Sequence, residues 1–363
     1  MTKRILIRTD SGHHIGTGHV MRCLTIARQL CQLQMDVRFC CRPHPGHITA
    51  LISPEFDTFD LPLHPNYSAT SSPYRHSHWL GTSERQDAED TLSAIAAQLF
   101  DPDWILVDHF ALALEWELQM TKATNAKLAV IDGLGDRPHQ CDILLNPGLN
   151  APFKDSDVKH MLAGPRYLPL RPEFNDIPFR QRSEVRTLFV SFGGVDQLNL
   201  TLAVCTTLST PAIKSQIETV YVIVGSAYPY LIELQQFCQT QGSYFQLEVQ
   251  SEQIAQLMNN ADLAIGAGGI MAWERCAVGL PAIVWTIAAN QKQQNEQLAA
   301  LGATIYLGEP NTKTLTNQLK LMVLELILKP EKLQQLSLNA ISIMENWQQH
   351  SRHLCQLIRQ DFT

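Results

Sequence analysis

Short apolar runs alternate with longer amphipathic stretches along this chain, and the alternation happens twice. "RILIRT" (4–9), "DVRFCCR" (36–42), "WILVDH" (104–109), "LAVIDG" (128–133) and "DILLNP" (142–147) have the length and residue types of buried strands. Val20, Leu24, Ala27, Leu30 and Cys31 recur at helical spacing, which predicts a helix over 19–33. The pattern restarts at "TLFVSFGG" (187–194) and runs through "TVYVIVG" (219–225), "FQLEVQ" (245–250), "LAIGAGG" (263–269) and "PAIVWTI" (281–287). Strands that alternate with helices build parallel sheets joined by right-handed crossovers. Two such series predict an α/β fold of two Rossmann-like, doubly wound domains. The first domain is expected over 1–163 and the second over 187–345. Residues 164–186, with four prolines and several arginines, read as the linker, and 346–363 as a C-terminal helix. The polar stretch 64–86 reads as a loop.

Glycines mark where ligands could approach. Gly16-Thr17-Gly18-His19 lies between the first strand and the first helix. Such a turn lets backbone come close to a ligand and aims free N–H groups at it. His19 falls in the first helical turn, where the dipole favours a neutral imidazole, suited to a general base. A capped helix with a solvated histidine would give the same residues. Met21 stands where the dinucleotide fingerprint needs its third glycine, with Arg22 next, so nicotinamide binding is not expected. A second cluster, Gly266, Gly268 and Gly269, again separates a strand from a helix, with Glu274 about a turn further on. A carboxylate there can accept from both hydroxyls of a ribose; an exposed Glu after a structural turn is the alternative. Gly193 and Gly194 supply another turn in the same half, and the two turns could hold one diphosphate.

Other candidates carry less. Asp101-Pro-Asp103 resembles a metal-binding D-x-D but precedes a strand, so a turn is expected. His44, His47, His76 and His78 have no matching carboxylate or cysteine set and read as solvated. Asp108-His109 ends a strand on the side of Gly16–His19, and either serves the site or caps the next helix. The formal charge of -7 argues against general nucleic-acid binding. Nine cysteines without a CxxC pair suit free thiols in a reducing cytoplasm. No apolar run approaches the ~18 residues of a membrane span.

Taken together, "IGTGHVMRCLTIA", "WLGTSERQDAEDT", "WILVDHFALALEWE", "IDGLGDRPHQCDILLNPGLN", "LAGPRYLPLRPEF", "FVSFGG" and "AIGAGGIMAWERCAVGLPAIV…ANQ" resemble the PseG family. These are the UDP-2,4-diacetamido-2,4,6-trideoxy-β-L-altropyranose hydrolases of pseudaminic acid synthesis. The resemblance runs from about residue 4 to 308, with the motifs in order. It implies a GT-B architecture related to MurG glycosyltransferases, two domains facing across a cleft. It also implies that the C-terminal domain binds UDP and the N-terminal domain supplies the chemistry. The family's essential histidine falls on His19, and its nucleotide-binding Glu and Asn on Glu274 and Asn290. Gly16, Gly18, Asp10 and Asp108 are expected on the sugar side, and Gly193, Gly194, Gly268 and Gly269 around the UDP phosphates. Three positions depart from the family pattern: Phe110 replaces a frequent tyrosine, Gly133 a second aspartate and Met271 a threonine or serine.

The resulting expectation is an inverting UDP-sugar hydrolase whose co-substrate is water. It would be cytoplasmic and monomeric, with no cofactor, metal, nucleic acid or membrane partner. A MurG-like glycosyltransferase and a UDP-sugar-binding protein without catalysis are the alternatives.

Overall fold

The computed structural model describes residues 2–65, 67, 74–149, 153 and 156–360. Two compact units emerge, one formed by Met1–Pro169 with Asn346–Thr363 and the other by Leu170–Glu345. In the first unit β1 (Arg4–Thr9), β2 (Asp36–Cys41), β3 (Thr58–Asp60), β4 (Trp104–Asp108), β5 (Lys127–Ile131), β6 (Gln140–Asn146) and β7 (Asp157–Ala163) form one sheet. Its order is β3-β2-β1-β4-β5-β6-β7. In the second, β8 (Thr187–Ser191), β9 (Thr219–Val224), β10 (Phe245–Val249), β11 (Leu263–Ala267), β12 (Ala282–Trp285) and β13 (Thr304–Tyr306) order as β10-β9-β8-β11-β12-β13. Neighbouring strands run parallel in both sheets. Each sheet therefore winds outward from a central pair, β1 beside β4 and β8 beside β11. Ligands of doubly wound folds collect at the carboxyl ends of such pairs, where the strand order reverses.

The Rossmann-like α/β class expected from the alternation is the one observed. The predicted strands fall on β1, β2, β4, β5 and β6, then on β8 to β12. The helix over 19–33 is α1 (Gly18–Gln32). Three strands had no sequence signal. β3 and β13 are three residues long, and β7 is an edge strand exposed along most of its length. Burial on both faces, which makes a parallel strand read as apolar, is missing there. Within the stretch read as a loop, residues 66 and 68–73 lie outside the described residues. The part nearer the C-terminus folds as a short 3-10 turn at Ser77–Leu80 and starts α2 (Glu84–Ala97), capped by Ser83.

Two boundaries differ from expectation. Residues 170–186 belong to the second unit rather than to a free linker, because Leu170, Phe174, Arg182 and Val185 are buried. The Arg182 guanidinium donates to the carbonyls of Met258, Asn259 and Ala261. Those carbonyls close the helix Ile254–Asn260, whose negative dipole end favours a cation. Residues 346–360 fold back onto the first unit, where the Cys355 thiol approaches Gln29 on α1.

A buried polar cluster ties α3 (Leu114–Thr124) to β5 and β6. His139 meets Glu117 at 2.6 Å through Nδ1 and Asp132 at 3.1 Å through Nε2, and Arg137 completes the pairing of Asp132 at 3.0 Å. Burial opposes a charged imidazole, but the two carboxylates outweigh it and raise His139 to about 9. Because this value lies above the ordinary 6.5, the protonated pair stabilises the fold below pH 6.5. That contribution is lost as pH rises through about 9. The urea midpoint should therefore fall between pH 6.5 and 9.5, and His139→Gln should start lower and show a flatter decline; an equally steep decline in the variant would remove His139 as its source.

Candidate active site

At the carboxyl ends of β1 and β4, the order reversal and the first glycine turn coincide. Gly16 has φ +84°, a left-handed conformation that favours glycine, and a side chain added at Gly16 or Gly18 would meet no neighbour. Thr17 precedes α1 without a side-chain cap, and His19 is the second residue of the helix. His19 Nδ1 lies 2.6 Å from Asp108 Oδ1 at the end of β4. Arg22, one helical turn on, reaches both oxygens of the same carboxylate at 2.6 Å. Burial would raise the Asp108 carboxyl, but Arg22 and His19 outweigh it and hold Asp108 well below the usual carboxylate range. An ionised carboxylate at Nδ1 draws the ring proton there and leaves Nε2 as the acceptor. No hydrogen bond engages Nε2 among the described residues. The ring stands edge-on to Phe110 at 4.6 Å and to Trp79 at 6.1 Å.

Two residues expected on the sugar side take other places. Asp108 is fully buried and pairs with His19 and Arg22. Asp10 is buried too; its carboxylate takes Arg8 at 2.5 and 2.9 Å and the Arg42 backbone N–H at 2.7 Å. Arg8 and Arg42 also share Asp87, and Arg42 holds Asp90, so Asp10 sits in a closed ionic network. His109 and His44 face its other side at 3.2 and 3.5 Å. The reading of four solvated histidines therefore needs correction: His44 and His76 are buried, while His47 and His78 are exposed. Asp101 and Asp103, where a turn is expected, lie in the irregular connection before β4 and bond to Arg4 on β1.

The second unit gathers its glycines at the ends of β8 and β11. Gly266 packs against the Ser191 carbonyl, and a Cβ there would lie 2.0 Å from it. A Cβ at Gly225 would lie 2.4 Å from the Gly194 carbonyl. Space beside Gly193 is open. Gly269, at φ +91°, precedes the helix Ile270–Ala277. Its N–H, expected to be free for a phosphate, donates to Gln294 Oε1 at 2.7 Å, and Gln294 Nε2 donates back to the Gly269 carbonyl at 3.0 Å. The backbone donors of Ile270 and Met271, in the first turn, stand next in line. Gly268 lies over Asn295, where a Cβ would come within 2.5 Å of Oδ1. Asn290 sits half-buried in the turn Ala289–Gln291 with no side-chain hydrogen bond among the described residues.

Glu274 is not an exposed carboxylate. It is 1% exposed and takes both Arg171 nitrogens, Nε at 2.7 Å and NH2 at 2.8 Å. A bidentate fork uses one lone pair on each oxygen and leaves the others as acceptors. Sequence reasoning missed both clamps, Arg171 on Glu274 and Gln294 on Gly269. Arg171 lies within the quoted "LRPEF", but nothing local shows that its partner is 103 residues away.

Removing one partner of a buried pair leaves the other charge unpaired. Arg171→Met should cost about 3–5 kcal/mol of stability in urea denaturation. The double variant Arg171→Met/Glu274→Leu should recover most of the loss; a double variant as unstable as the single one would show that the pair is not what holds this corner.

Known proteins agree with this architecture. The family model for the Glycosyltransferase family 28 C-terminal domain matches residues 187–351. The UDP-2,4-diacetamido-2,4,6-trideoxy-beta-L-altropyranose hydrolase of Campylobacter jejuni is 28% identical over 74% of this chain and 86% of its own length. The spore coat polysaccharide biosynthesis protein SpsG of Bacillus subtilis is 25% identical over 83% of each chain. Among solved structures, Acinetobacter baumannii MurG matches with a TM-score of 0.64 at 14% identity over 99% of each chain. Spinosyn rhamnosyltransferase SpnG matches with a TM-score of 0.65 at 15% identity, over 99% of this chain and 100% of its own. These likenesses show a GT-B fold built from two parallel-sheet Rossmann-like domains, and a sequence similar to the PseG hydrolase.

Proposed function

We propose that this chain hydrolyses a UDP-sugar, releasing UDP by attack of water on the anomeric carbon with inversion. The hydrogen bond between His19 Nδ1 and Asp108 Oδ1, which leaves Nε2 without a partner among the described residues, carries the reading. The substrate proposed is UDP-2,4-diacetamido-2,4,6-trideoxy-β-L-altropyranose, on the similarity to the Campylobacter jejuni hydrolase. Nε2 takes a proton from water as its oxygen bonds to the anomeric carbon. The bond from that carbon to the β-phosphate oxygen breaks, and its electron pair leaves with UDP. Asp108 holds the ring in the tautomer this needs and faces the imidazolium that forms. A diphosphate leaves as a stabilised anion, so no second carboxyl is needed to protonate it, unlike the two-carboxylate glycosidase scheme.

In this reading the second unit holds the nucleotide. The first turn of the helix Ile270–Ala277 and the turns at Gly193, Gly194 and Gly268 donate to the phosphates. Glu274, oriented by Arg171, accepts from the ribose with its remaining lone pairs, and Asn290 offers a further polar contact. Phe110, in the place of a frequent family tyrosine, gives His19 an apolar neighbour. The reaction proceeds without a metal and should survive EDTA. A glycosyltransferase is the second reading, favoured by the family 28 domain match and the transferase structures.

Incubation of the UDP-sugar in ¹⁸O-labelled water without an acceptor tests both. Free sugar carrying the label, beside unlabelled UDP, is expected. Label in the β-phosphate would take the base role away from His19, and no release until an alcohol acceptor is added would favour the transferase. His19→Asn should keep UDP affinity and lower turnover by about a hundredfold or more. Asp108→Asn should lower kcat while leaving KM for the UDP-sugar near its original value, since Asp108 touches His19 and not the ligand; an unchanged kcat would sever the pair from the chemistry.

A further inference from the structure

We propose that His76 is a substrate-contacting residue, a second imidazole that hydrogen-bonds an uncharged polar substituent of the sugar beside His19. The proposal rests on the UDP-sugar reading above.

His76 is 3% exposed, and its Nε2 is buried without a hydrogen-bond partner among the described residues. Native proteins rarely leave a buried polar atom unpaired, because it has lost water and gained nothing. His44 and His109 also have a buried Nε2 without a bond of good geometry, but each faces Asp10 Oδ2, at 3.5 and 3.2 Å. Their orientation is thereby explained. His76 has no carboxylate near enough to form an ion pair among the described residues.

Its ring stands in the same aromatic group as the base. His76 lies 4.3 Å from Trp79 and 5.9 Å from Phe110. The Trp79 and Phe110 rings are 6.0 Å apart, inclined at 33°. His19 meets those same two rings edge-on. Two imidazoles thus meet one apolar pair, and each has an Nε2 without a hydrogen-bond partner among the described residues. Burial and the neighbouring Arg75 and Arg137 lower His76 to about 4, so the ring is neutral at physiological pH. A neutral imidazole does not protonate the leaving group. It offers one donor and one acceptor, which suits a hydroxyl or an acetamido group. Trp79 and Phe110 offer apolar faces for the methyl groups of such substituents. A site built to bond a polar group discriminates against ligands that lack it.

The test compares ligands with and without the sugar. Calorimetry on wild type and His76→Phe should show equal affinity for UDP, and roughly tenfold or more weaker binding of UDP-2,4-diacetamido-2,4,6-trideoxy-β-L-altropyranose in the variant. KM should rise with kcat changed far less, and His76→Gln should restore part of the affinity. Equal affinity for the UDP-sugar in wild type and His76→Phe would overturn the proposal and leave His76 a packed ring. If His76→Phe fails to fold, His76→Gln and His76→Leu give the same comparison, Gln being the tighter binder. A wild type that binds the UDP-sugar but releases no UDP defeats the hydrolase reading alone, because the binding comparison still reports on His76.

Discussion

A carboxylate buried at the end of a central strand is an expensive group, and the arrangement of the first unit follows from how Asp108 is satisfied. With no exposure to water, it must be neutralised by neighbours. Arg22 and His19 do so from a single helix, three residues apart and hence on one face. The same contacts that stabilise the charge pin α1 to β4 and orient the imidazole. Weakening them to gain stability elsewhere would release the ring that the chemistry is proposed to use.

A second ionic layer lies behind that pair. Arg8 and Asp10 at the end of β1, Arg42 just after β2, and Asp87 and Asp90 on α2 form a network with little access to water. Trp116 on α3 adds a hydrogen bond to Asp87 at 3.0 Å. Such a network is worth little as net stability, since desolvation offsets much of the Coulomb attraction. Its geometry is demanding, however, and it joins two strand ends to two helices. The turn carrying Gly16 and Gly18 begins a few residues after Asp10 in the chain. Asp10 is therefore better understood as support than as a ligand. The second unit repeats the device on a smaller scale, with Arg171 holding Glu274 and Gln294 holding Gly269.

Much of the fold and part of the site were legible in the order of residues. Buried parallel strands such as "WILVDH" announce themselves by continuous apolar character, while β3, β7 and β13 at the sheet margins do not. Gly16, Gly268 and Gly269 were visible because close approach and positive φ restrict residue choice locally. The burial of His76 was not, because a histidine reads the same in solvent as against Trp79. Nor was the burial of Asp10 and Glu274, whose partners come from elsewhere in the chain.

By itself the sequence determined the two parallel sheets, the glycine turns at their carboxyl ends and the histidine opening α1, since periodicity, turn chemistry and helix capping are local properties. It also carried the family resemblance, because motifs in order survive where overall identity is low. Only the tertiary structure decided which charges meet, Asp108 with His19 across 89 residues and Glu274 with Arg171 across 103, and that residues 346–360 join the first unit. Pairing of that kind depends on distance through space and on exclusion of water, and neither is written in the spacing of residues along the chain.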